Sequence, residues 1–351
     1  MEEERDLWKD IATIEQLIAL AHNTGKIKDE GELRFGLGTC YYFLNLMEEA
    51  ISAFEQAIFL LCNTQATQQL CSARCCLGSA LLQVDRFLQA LPVLEEALQL
   101  AKEIGDEDAR LECLSHLGYA LTETSQPQRA LTYQMEALTL ARQRGNREAE
   151  INELGKLGNV YAQLERIPDA LACHEQALAL ARQIGDQENE AYQLGNLGAT
   201  HTDHLKQPER GIRYFKDALL IFRGCRDRHN EAKTLANMAG ALSKAGRGNE
   251  ALTVLDQAQA IAAALGDSAL LGWVASTRGK VYNQLGQTER SMHAHEQALL
   301  LNRRHGDGRE AIEDLSRLGM ASLSQGHPEE ALPFHRQALD LARKLGDRIK
   351  E

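Results

Sequence analysis

The residues whose types suit chemistry are few and poorly grouped. Cys71, Cys75 and Cys76 share one stretch, and His116 stands forty residues beyond Cys76. Thiolates and imidazoles bind zinc, but a closed structural site shows four ligands in two closely spaced pairs, and no second pair exists here. His293 and His295 lie in a row, yet His295 shares its place in a periodic pattern with His174 and His335, which predicts a semi-buried packing role. GLGTC at 36–40 has the glycines of a phosphate loop without a preceding strand or a closing Lys-Ser/Thr. Ser115-His116 and Cys76-His116 lack a positioned acid partner, and catalysis needs a constellation held in mutual reach. The expectation is a chain with no catalytic residue, no metal site and no cofactor.

A stronger grouping depends on the elements that would hold it. Gly-Asp or Gly-Asn pairs interrupt good helix formers at Gly105, Gly145, Gly185, Gly266, Gly306 and Gly346, a step of forty residues with one of forty-one before 227. The Gly of each Leu-Gly pair gives a ruler at Gly38, Gly78, Gly118, Gly158, Gly198, Ala239, Gly279 and Gly319. Twelve residues on comes a second small residue, Ala in most copies but Gly211 and Ser291 in two. A third series, from Ala57 to Ala338, is Ala throughout. Between the marks, apolar residues recur three and four apart, as in LGNVYAQL and ALACHEQALALA, so each unit is two amphipathic helices joined by a short turn. Small residues allow the pair to cross closely. Gly185 is predicted to end a second helix in the left-handed conformation and Asp186 to cap the next first helix, while Asp307 and Glu310 have capping-box spacing. The extra residue of the long step is placed in the turn near Lys206-Gln207-Pro208, because inside a helix it would rotate the apolar face by ~100°.

Leu-Gly, an aromatic three residues further on (Tyr41, Tyr161, Tyr282), and the two series of small residues together resemble the tetratricopeptide repeat, over the whole chain. The forty-residue period and phrases such as ACHEQALALARQIGD resemble the extended repeats of the LGN/Pins scaffolds and, more distantly, kinesin light chains. The resemblance implies an all-α, right-handed superhelix of about eight helix pairs, read as one array over 1–351, with repeats near 27–66, 67–106, 107–146, 147–186, 187–227, 228–267, 268–307 and 308–347. Residues 4–22, with Leu7, Trp8, Ile11, Ile14 and Ile18 on one side, read as an unpaired second helix capping the first repeat. Gly346-Asp347 opens a further first helix, so the sequence is expected to be a piece of a longer protein.

The resemblance also implies that the first helices line a concave groove for extended peptides. Its exposed register holds Glu32, Glu112 and Glu123 in the first three repeats, and Lys156, Lys233, Lys244, Lys280 and Arg317 against Asp203 and Glu313 in the last five. Asn152, Asn159, Asn196, Asn237 and Asn283 share that surface, and an Asn amide both donates to and accepts from a peptide backbone. Asn159, Asn196 and Lys233 match positions of the carboxylate clamp of chaperone-binding members, whereas Gly155 and Asn237 do not. The lysines lie away from the Gly and Ala crossings, so reversing Lys156, Lys233 and Lys280 is expected to spare the fold.

Net charge is -12, from 50 acidic and 38 basic residues, which argues against a general nucleic-acid binder. The amino terminus is acidic and polar at helical intervals, unlike a secretory signal, no stretch is apolar enough to span a bilayer, and the scattered cysteines fit a reducing cytoplasm. The function expected is a non-enzymatic scaffold that binds an extended, acidic segment of a protein partner in its groove. The alternatives are a sensory or autoinhibitory module of a multidomain signalling regulator and a self-assembling structural array.

Overall fold

The computed structural model describes residues 2–305 and 308–345, with side chains described over 6–303 and 308–343. Seventeen helices and no strand occur among these residues. The chain divides into two compact units, Met1–Gly145 and Asn146–Glu351. In the first, α1 (Glu2–Asn23) precedes the pairs α2 (Ile27–Phe43) with α3 (Met47–Leu61), α4 (Thr67–Gln83) with α5 (Phe87–Ile104), and α6 (Glu107–Glu123) with α7 (Pro127–Gln143). The second holds α8 (Arg147–Gln163) with α9 (Ile167–Ile184), α10 (Gln187–Asp203) with α11 (Pro208–Gly224), α12 (Arg228–Lys244) with α13 (Gly248–Leu265), α14 (Ser268–Gln284) with α15 (Thr288–His305), and α16 (Gly308–Ser324) with α17 (Pro328–Leu345).

The punctuation acts locally. Gly105, Gly185 and Gly266 take left-handed φ of 73°, 75° and 67°. The following Asp106, Asp186 and Asp267 each accept a backbone N–H from the first turn of the next helix. A glycine pays no Cβ penalty there, and the carboxylate satisfies a donor that the helix leaves open. The Gly306-Asp307 and Gly346-Asp347 pairs, and with them the capping box and the open carboxy-terminal helix, lie outside the described residues. The turn inside the fifth pair, 204–207, has four residues where the turns inside the other pairs have three, and Lys206 takes its left-handed position.

The small residues sit where helices cross. The third series is buried throughout, and the second is buried from Ala50 to Ala331. Against each ruler glycine stands the side chain four residues beyond the second mark. A Cβ on Gly78 would come within 2.3 Å of Leu94, on Gly158 within 2.5 Å of His174, and on Gly279 within 2.5 Å of His295. The two departures have local causes. Ser291 donates to the Gly279 carbonyl at 2.8 Å, and a Cβ on Gly211 would collide with Thr202 and the Gly198 carbonyl. At the amino end Ile11 and Ile18 are buried against Leu37 and Ala53, with Ile14 packed beside them. Trp8, expected on that apolar side, is 53% exposed, its position on the helix being rotated by roughly 80° from the stripe of Ile11, Ile14 and Ile18.

Within each unit every helix packs on the next, and successive first helices also touch: α2 on α4 and α4 on α6 in the first unit, α8, α10, α12, α14 and α16 in turn in the second. Successive second helices make no contact of that extent among the described residues. The first helices therefore form the tighter, inner row. No helix among the described residues is long and apolar enough to cross a membrane.

Candidate functional site

The second unit carries all ten residues that the sequence reading assigns to a groove. Asn152, Lys156 and Asn159 are on α8, Asn196 on α10, Lys233, Asn237 and Lys244 on α12, Lys280 and Asn283 on α14, and Arg317 on α16. These are the helices of the inner row. Asn237, Lys244 and Lys280 come together around one pocket of about 210 Å³, which α10, α12 and α14 line with Thr202, Asp203, Gly240, Trp273, Thr277 and Gln284. Lys233 lies beside it, its Nζ 5.7 Å from the centre of the Trp273 ring, a distance at which the π-face attracts a cation. Asn152, Asn159, Asn196, Asn283 and Arg317 do not line this pocket. Asn152, Asn159 and Asn283 are exposed, Asn196 donates to Gln193 Oε1 at 3.3 Å, and Arg317 Nε is buried without a hydrogen-bond partner.

Most of the cations are already matched within the chain. Lys156 Nζ lies 3.2 Å from Glu153 Oε1, Lys280 Nζ lies 3.5 Å from Glu313, and Lys244 pairs with Asp203. The expectation that reversing Lys156 would spare the fold is thereby corrected. The Glu153 side chain is only 4% exposed, and a glutamate at 156 would set a second carboxylate against a buried one. In the first unit, burial and nearby Asp106 raise the Glu112 carboxyl above its ordinary range, so part of the acidic half is held less readily ionised.

Of the three histidines of the sequence pattern, His335 is partly buried against Gly319 as expected, while His174 and His295 are more deeply buried than the sequence suggests. His174, at 1% exposure, donates from Nδ1 to Gln193 Oε1 at 3.2 Å, and burial pushes its pKa down to about 4. His295 lies 2.8 Å from Asp314, whose other oxygen accepts from Asn302 at 2.9 Å. All eight cysteines are free thiols. Cys75 Sγ lies 2.9 Å from Cys113 Sγ, and burial raises the Cys76 thiol to about 11. No group of three or more His, Cys, Asp or Glu that could hold a metal ion occurs among the described residues.

Among the pocket residues that escaped the reading by charge and amide are Thr202, Gly240, Trp273, Thr277 and Gln284. All five fall on the register that also selects Asn237 and Lys280, so spacing without regard to residue type would have found them.

Paired helices crossing on small residues, with their first members aligned along an inner face, define a helical repeat protein. The chain belongs to the tetratricopeptide repeat family. That family's models match residues 31–58, 69–143, 148–224, 230–304 and 315–349. No curated protein matches the sequence. Among solved structures, a Rap protein complexed with competence and sporulation factor superposes with a TM-score of 0.64 at 16% identity, covering 98% of this chain and 99% of that one. The apo quorum sensor NprR from B. thuringiensis gives 0.63 at 18%, covering 96% and 99%. A signal transduction ATPase with a tetratricopeptide repeat sensor, from Pyrococcus horikoshii, gives 0.57 at 13%, covering 98% of this chain and 55% of that one. At such identities the likeness is one of fold.

Proposed function

We propose that this chain is a non-enzymatic, cytoplasmic scaffold whose second unit holds an extended peptide segment with acidic residues along the inner face of α8, α10, α12, α14 and α16. The observation that carries the reading is the meeting of Asn237, Lys244 and Lys280 at one pocket, with Lys233 on its Trp273 wall. The asparagines take the peptide main chain, and the lysines exchange their internal carboxylates for those of the ligand. Exposed ion pairs contribute only ~0–1 kcal/mol each, so that exchange costs little. The likeness to NprR solved in complex with its cognate peptide NprX supports a peptide ligand.

The test is a Lys233→Gln, Lys244→Gln, Lys280→Gln variant offered a panel of immobilised extended peptides of graded acidic content. It should bind the acidic peptides about tenfold more weakly than the parent, with a shallower dependence on salt, because charge attraction is screened over ~8 Å at physiological ionic strength. Equal affinity and equal salt dependence would overturn the acidic-ligand reading. A second reading, a ligand-sensing module of a larger regulator, is favoured by the sensor roles printed for NprR and for the archaeal ATPase.

A further inference from the structure

We infer that the pocket over Gly240 selects the ligand, admitting one apolar side chain of leucine-to-phenylalanine size from the bound peptide. The inference rests on the peptide-groove reading and sharpens it. Gly240 lies inside α12, where glycine is ~1 kcal/mol worse than alanine, and no close packing requires it there. A Cβ on Gly198 would meet the Phe215 ring at 2.9 Å, whereas a Cβ on Gly240 would meet nothing within 4 Å. The missing side chain leaves open space on the pocket side, where a ligand can come close to the helix backbone.

The size and lining of that space limit what enters it. At about 210 Å³ it falls below the ~300–1,000 Å³ of whole small-molecule sites and suits one side chain of a longer ligand. Ala199, Phe215, Ala236, Ala241, Val281 and Trp273 form the apolar part of its lining, beside the polar Thr202, Ser243 and Gln284 and the charged Asp203, Lys244, Lys280 and Glu310. A carboxylate placed over Gly240 would lose its hydration against the apolar part of the lining, whereas an apolar side chain gains by the same burial, so the acidic residues of the ligand belong at Lys244 and Lys280 and not in the space over Gly240. Asn237 and Thr277, on the neighbouring helices α12 and α14, line the same pocket, and neither side chain hydrogen-bonds another described residue. Thr277 is only 7% exposed. These two groups are placed to take the ligand's main-chain amide while its side chain fills the space over Gly240. The acidic residues of the ligand then flank this anchor.

The chain has two tryptophans, so Trp8→Phe leaves Trp273 as the sole reporter. In that background, N-acetyl-leucinamide and N-acetyl-phenylalaninamide should shift Trp273 emission saturably, and the alanine and glutamate amides should bind at least tenfold more weakly. Gly240→Leu should abolish the shift and Gly240→Ala should weaken it, both with melting temperatures at or above the parent's. Equal binding of the glutamate amide, unchanged binding by Gly240→Leu, or no saturable shift with any amide would each overturn the inference. Capture of acidic peptides without an apolar preference sinks the anchor alone. Amide binding with no peptide captured sinks the groove reading instead.

Discussion

His174 shows how one buried side chain ties stability to pH. Its equivalents over other ruler residues include Leu94 and Leu255, so the position calls for bulk, and the imidazole adds a titrating group. Unfolded, it titrates at the ordinary 6.5, while the fold lowers it to about 4. The unfolded state therefore takes up the proton first. The contribution to stability is fully present above 6.5 and is lost as pH falls through about 4, on the order of 3 kcal/mol in all. His174→Leu should remove this dependence, since Gln193 Oε1 keeps its bond from Asn196. Thermal melts of parent and variant between neutral pH and pH 4.5 check it: the parent should lose more. Parallel curves would show that His174 does not titrate in this way.

Between elements, two kinds of glycine separate, and substitution should sort them. Gly158→Ala forces a Cβ to within 2.5–2.8 Å of the His174 ring, which should destabilise the second unit by about 1–3 kcal/mol in denaturant titrations. Gly240→Ala meets no such neighbour. The turns inside the pairs give the converse case. Glu165 holds φ 56° where the later repeats use Gly246, Gly286 and Gly326, and the left-handed region is strained for a residue with a Cβ. Glu165→Gly should relieve that strain and raise stability by about 0.5–1 kcal/mol, after allowance for the greater freedom of glycine in the unfolded chain. A lower midpoint for this variant would mean that the glutamate makes a contact worth more than the strain.

Over the whole molecule, charge sets which partners are attracted. The net charge of -12 opposes polyanions, and three of the inner-face lysines spend their charge on carboxylates of the same chain. The intact protein should pass through immobilised heparin at physiological salt while still capturing acidic peptides on the panel. Retention on heparin would point to a basic surface outside the inner row of helices.

Helix pairing, caps and register were legible in the sequence because they depend on local chemistry repeated at a fixed step. Gly185 with Asp186 ends and restarts a helix whatever lies beyond it, and a small residue every forty positions makes the crossings. The same register marked Asn237, Lys244 and Lys280 as neighbours on one face. It could not tell that Lys244 would reach Asp203, forty-one residues away, that His174 would find Gln193 nineteen away, or that Trp8 would stay exposed. Nor could it tell that Gly240 faces open space while Gly158 faces a ring. Period and spacing fix which face a residue occupies. Contacts between helices depend on separations of a few ångströms, set by how bulky and small side chains interlock across each crossing, and only the packed tertiary structure determines those.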